Sequence, residues 1–95
     1  MNAWKKEKLD TLSKAVANLY ELNLATSETM SHRKVSRVLA QMMKDDHDTK
    51  VSEEWVSKVY YRGVDGLVGA SWVTVNSFID LMNDPRLTAR VTEKR

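Results

Sequence analysis

A chain of 95 residues, 42% hydrophobic and 29% charged, carries enough apolar side chain to offset the entropy of ordering it, which excludes a disordered tail and predicts a single domain over 1–95. The absence of cysteine excludes disulfides, thiolate chemistry and Cys-ligated zinc, and no window approaches the ~18 uninterrupted apolar residues of a membrane span, so a cytoplasmic protein is expected. The formal net charge of +2 is too small to specify a polyanionic partner, so the distribution of charge decides.

The first segment, WKKEKLDTLSKAVANLYELN, places Leu9, Leu12, Val16, Leu19 and Tyr20 at steps of three and four, with Lys8, Asp10, Lys14 and Glu21 off that stripe. This predicts an amphipathic helix over about 5–23. Trp4 falls off the stripe and is the natural anchor for a partner. LATSETM reads as a turn rich in Ser and Thr.

Ser31 is expected to cap a second helix, 31–44, with Val35, Val38, Leu39, Met42 and Met43 inward and Arg33, Arg37, Gln41 and Lys44 on the opposite face. Between Ser31 and Lys44 stand Arg33, Lys34, Arg37 and Lys44 and no acid, so the positive field is local. The acids of DDHD oppose the dipole at a helix C-terminus, which ends the helix at Lys44 and makes 45–50 a loop.

Ser52 then caps a third helix, 52–62, with Glu53 and Glu54 in the first turn, where negative charge meets the positive helix end. Trp55, Val56, Val59 and Tyr60 are expected inward, and Glu53, Glu54, Ser57, Lys58 and Tyr61 outward, with Arg62 at the boundary. Gly63 suits the C-terminus because it adopts positive φ without steric cost. All three glycines fall in GVDGLVGAS, which reads as an irregular connector and the best hinge candidate.

SWVTVNSFIDLMND offers Ser71 as cap of a fourth helix, 71–83, with Trp72, Val75, Phe78, Ile79 and Met82 on one face. The β-branched WVTV run makes a strand, and hence a winged helix, the alternative. Asp84 and Pro85 stop this helix and can start a short fifth one over 85–92, Leu87 and Val91 being four apart. Arg86, Arg90, Lys94 and Arg95 form a second basic strip there. The fold class is all-α: four main helices and a short fifth.

The pair RKVSRVLAQMM and VSEEWVSKVYYRG resembles the helix-turn-helix domains of small bacterial, phage and plasmid DNA-binding proteins, whose recognition helix carries a Val-Ser-x-x-x-Val-x-Lys kind of phrase. The resemblance covers residues 32–62. It implies that Glu54, Ser57, Lys58 and Tyr61 face the major groove of double-stranded DNA, while Arg33, Lys34, Arg37, Lys44 and Arg62 bind phosphates. The departure is the connector, which at 45–51 is longer than the usual turn, acidic and without glycine. A stripe of cations is also what a solvated helix face looks like.

DDHD has neither the alternating oxygens nor the glycine of an EF-hand loop, and His32 and His47 are far apart, so no metal or other cofactor is expected. No phrase sets a nucleophile beside a base, which argues against an enzyme. The sequence therefore predicts a non-enzymatic DNA-binding protein, a transcriptional regulator or the origin-recognising part of a replication protein of phage or plasmid type, acting as a dimer or within a larger assembly. The alternative is a small helical module or inhibitor that binds another protein, for which the methionines and tryptophans supply adaptable packing.

Overall fold

The computed structural model describes residues 6–93, and among them five α-helices follow one another with no strand. They are α1 (Lys6–Thr26), α2 (His32–His47), α3 (Glu53–Arg62), α4 (Trp72–Met82) and α5 (Leu87–Glu93), with a 3-10 segment, Gly63–Leu67, directly after α3. Trp4, Lys94 and Arg95 lie outside the described residues.

Three helix starts are set by serine. Ser31, Ser52 and Ser71 are extended, and their hydroxyls accept from the backbone N–H groups of Lys34 (3.1 Å), Trp55 (3.0 Å) and Thr74 (3.3 Å). Each satisfies one of the donors that a helix leaves unpaired at its first turn. The WVTV run thus lies inside a capped helix, and burial of Val75 outweighs its strand propensity, which removes the strand and the winged variant.

Two helix ends run past the expected positions. In α1, the helix runs through Leu24 and Ala25 to Thr26, expected in a turn, and Asn23 Nδ2 donates to the Leu19 carbonyl (3.0 Å) and Thr26 Oγ1 to that of Leu22 (2.9 Å). In α2, the segment expected as a loop from Asp45 continues to His47. Asp48 closes it in the left-handed conformation (φ 51°), its N–H reaching the Lys44 carbonyl while that of Thr49 reaches Met43. The acids of that last turn are accommodated because Gln41 Nε2 donates to Asp45 (2.9 Å) and Arg90 pairs with Asp46. Only residues 48–52 then separate α2 from α3.

Buried side chains from all five helices make one cluster, in which Phe78, Leu12, Leu19, Leu22, Leu39, Met42, Met43 and Leu67 are fully enclosed. The radius of gyration, 12.4 Å, matches the ~12 Å of a compact chain of this length. α1 packs on α3, α4 and α5, and α2 packs on α3, α4 and α5. Ala15 and Leu22 belong to the buried face of α1, whereas Leu9 and Tyr20, expected inward, are about two-fifths exposed (40% and 43%). Trp72 also stands at the surface, with Lys8 Nζ 5.2 Å from its ring centroid. Beneath the α2–α3 turn, the buried hydroxyls of Thr49 and Ser77 are bonded at 2.9 Å, tying that turn to α4.

At Gly66 the glycine-rich stretch is no hinge. A Cβ on Gly66 would stand 2.7 Å from the Lys58 carbonyl oxygen and 2.8 Å from the Val59 Cα, so the 3-10 segment packs backbone against backbone on α3. Gly63 supplies the turn out of α3 with φ 65°.

Candidate nucleic-acid interface

α2 and α3 meet along a polar seam formed by Glu53, Ser57 and Tyr60, at steps of four and three on one edge of α3. At its upper end, Glu53 Oε2 lies 3.6 Å from Arg33 Nε and its Oε1 3.4 Å from Arg37 Nε. One turn further, Ser57 Oγ is 3.0 Å from His32 Nε2 and 3.3 Å from Ser36 Oγ. At the lower end the His32 ring stacks on Tyr60 with centroids 4.3 Å apart, and Tyr60 meets Tyr20 and Tyr61 edge to face.

This seam corrects the expectation for Ser57. It is half-buried and turned toward α2, because the polar groups of Ser36 and His32 offer it partners there, and it is not available to read a base. Glu53, expected outward, is likewise drawn to α2 by two guanidiniums. The outward ridge of α3 consists of Glu54, Lys58 and Tyr61, within a ~60° arc at 100° per residue. Glu54 and Tyr61 are exposed, the latter by 73%, and Lys58 is half-buried.

Of the phosphate-binding candidates, Arg33 and Arg37 keep 77% and 59% of their side chains exposed despite the shared carboxylate. Arg37 and Lys44 line a concavity of about 210 Å3 together with Gln41, Lys50 and Glu53. Lys50 escaped the sequence reading because it lies in the connector, and only the return of the chain from α2 into α3 brings it to that face. Lys34 is half-buried at the start of α2. Arg62 is exposed at the far end of α3, about 14 Å along the axis from Glu53, so it does not join the group.

Within the C-terminal basic strip, Arg90 is not free. Arg90 Nη1 donates to Asp84 Oδ2 (2.7 Å) and its Nη2 to Asp46, which consumes the guanidinium in joining α5 to α2. The backbone N–H of Arg86 and then the guanidinium of Arg90 hold the Asp84 carboxyl below its ordinary value of 3.8, and the two carboxylates raise Arg90. Burial lowers His32 from 6.5. Asn23, whose Nδ2 is committed to Leu19, leaves its Oδ1 3.4 Å from His32 Nδ1.

No protein family, curated protein or solved structure matches this chain. No described helix is long and apolar enough to cross a membrane.

Proposed function

We propose that α2 and α3 form a helix-turn-helix-like unit and that the chain is a non-enzymatic DNA-binding protein. One observation carries this reading: Arg33 and Arg37 flank the first turn of α3, pair with only one of its two carboxylates, that of Glu53, and remain largely exposed, with Lys44 and Lys50 beside Arg37. A polyanion with regularly spaced charges is the partner such a surface favours, and its affinity falls steeply with salt because bound counterions are released. The five-residue 48–52 connector is shorter than the 45–51 segment expected and so nearer the turn length of that family, although it still lacks glycine. Glu54, Lys58 and Tyr61 are the candidates for base contacts, and a regulator or origin-recognition role in the cytoplasm, as a dimer or an assembly module, fits this chemistry.

The non-enzymatic part rests on the seam. Asn23, His32 and Ser57 stand in line as amide, imidazole and hydroxyl, but Ser57 is in the middle of a helix whose neighbouring N–H groups are used by the helix itself. No adjacent backbone donor is left to hold a developing oxyanion.

Salt titration tests the reading. Arg33→Ala with Arg37→Ala should weaken all duplexes together and flatten the salt dependence, whereas Lys58→Ala or Tyr61→Ala should reduce discrimination between sequences. Undiminished binding by the double arginine variant rules the interface out. A second reading, a module that binds another protein, is favoured by Tyr20 and Leu24, one turn apart on α1 and 43% and 77% exposed, next to the Tyr60–Tyr61 pair. It requires an association that survives high salt and is lost in Leu24→Ser.

A further inference from the structure

Glu53 is the carboxylate that the exposed Arg33 and Arg37 share. Its carboxylate holds two guanidiniums, but each through Nε alone and at 3.4–3.6 Å, whereas a bidentate fork closes to ~2.7–2.9 Å. Exposed pairs of this kind change an equilibrium by about one- to fivefold, so a stronger anion can displace the carboxylate. The concavity beside it, about 210 Å3, far exceeds the ~10–15 Å3 that admits one water. Its polar walls are Arg37, Gln41, Lys44, Lys50 and Glu53, three cations against one acid, with the Gln41 amide donating to Asp45.

We propose that this concavity seats a single phosphodiester phosphate, bound by Arg37, Lys44 and Lys50, and that the Glu53 carboxylate is its internal competitor. The inference rests on the DNA-binding reading. In the free protein Glu53 orients Arg33 and Arg37 and lowers their attraction for stray anions. On binding, Arg37 exchanges the carboxylate for oxygens of this phosphate, Arg33, outside the concavity, is freed for a neighbouring one, and the released Glu53 takes up a cation from solution. That uptake subtracts from the counterions which the nucleic acid releases, so the parent has a shallower salt dependence than a chain without the carboxylate.

The experiment is a titration of a short mixed-sequence DNA duplex at several salt concentrations. Glu53→Gln should bind about threefold tighter at low salt, with a steeper slope that removes the gain as salt rises, and Lys50→Ala should bind about threefold more weakly. Glu53→Asp, which keeps the charge in the first turn, should bind as the parent does. In the Arg33→Ala, Arg37→Ala background Glu53→Gln should bring no gain, because the competition is then absent. If the double arginine variant weakens binding but Glu53→Gln does not tighten it, the competitor role is wrong while the interface stands. A gain that persists in that background, or appears in Glu53→Asp as well, also overturns it, since removal of charge or a loosened turn then suffices. Parent-like binding by the double arginine variant removes the interface and this inference together.

Discussion

The molecule joins arginine to carboxylate in two places and with opposite ratios. At the α2–α5 junction one guanidinium, that of Arg90, serves Asp46 and Asp84 and is 31% exposed. At the α2–α3 seam two guanidiniums, 77% and 59% exposed, share the single carboxylate of Glu53 at longer distances. Where acid is in excess the arginine is saturated and its work is structural. Where cation is in excess, the pairing leaves positive charge for an outside anion. Counting basic residues along the sequence cannot separate these cases, because Asp46 and Arg90 are 44 positions apart.

The largest expected effect strikes the frame that both clusters share. Gly66→Ala forces a Cβ against the backbone of Lys58 and Val59 and should cost about 2 kcal/mol or more, seen as a melting temperature lower by roughly 10 °C or more. A melting curve like that of the parent shows that α3 and the 3-10 segment can separate freely. Next comes the double substitution of Arg33 and Arg37 by alanine. About tenfold weaker DNA binding at low salt and a log–log slope smaller by about 2 are expected, with melting little changed. The mirror variant, Arg90→Ala, should lower the melting temperature by about 2–5 °C and leave DNA affinity alone. If Arg90→Ala weakened binding as much as the other pair, the contrast between the clusters would collapse.

The smallest effects are those of pH. His32 is held below 6.5, so the unfolded chain binds more protons as pH falls past that value, and the stability His32 contributes is full above it and lost on acidification. Asp84, held below 3.8, behaves the same way one window lower. Melting followed from neutral to acid pH should therefore fall in two stages. His32→Gln should erase the first. Arg90→Ala should shrink the second without abolishing it, because the Arg86 N–H still holds Asp84.

What the sequence disclosed follows the range of the interactions responsible. Ser31, Ser52 and Ser71 act on N–H groups three residues away, and each helix start was legible from them. The inner faces of α2 and α4 were legible from periodicity for the same reason, apart from Trp72. The end of α2 was not, because Arg90, far along the chain, neutralises an acid there that the dipole argument counts as unfavourable. Gly66 passed for a flexible residue since nothing in its neighbours announces the backbone of α3 lying against it. In the candidate site, the exposure of Arg33 and Arg37 was legible from their spacing. Ser57 was misassigned and Lys50 missed, because both depend on how α2 and the turn lie over α3.

The bond between Thr49 and Ser77 bears on how this surface meets a ligand. Swinging the 48–52 connector away from α4 would leave the Ser77 hydroxyl inside without this partner, at a cost of about 1–3 kcal/mol for an unsatisfied buried group, while Thr49 Oγ1 keeps its bond to the His47 carbonyl. The backbone at Lys50, next to Thr49, is therefore held against α4, and the connector is set in place rather than left as a strap to be drawn tight.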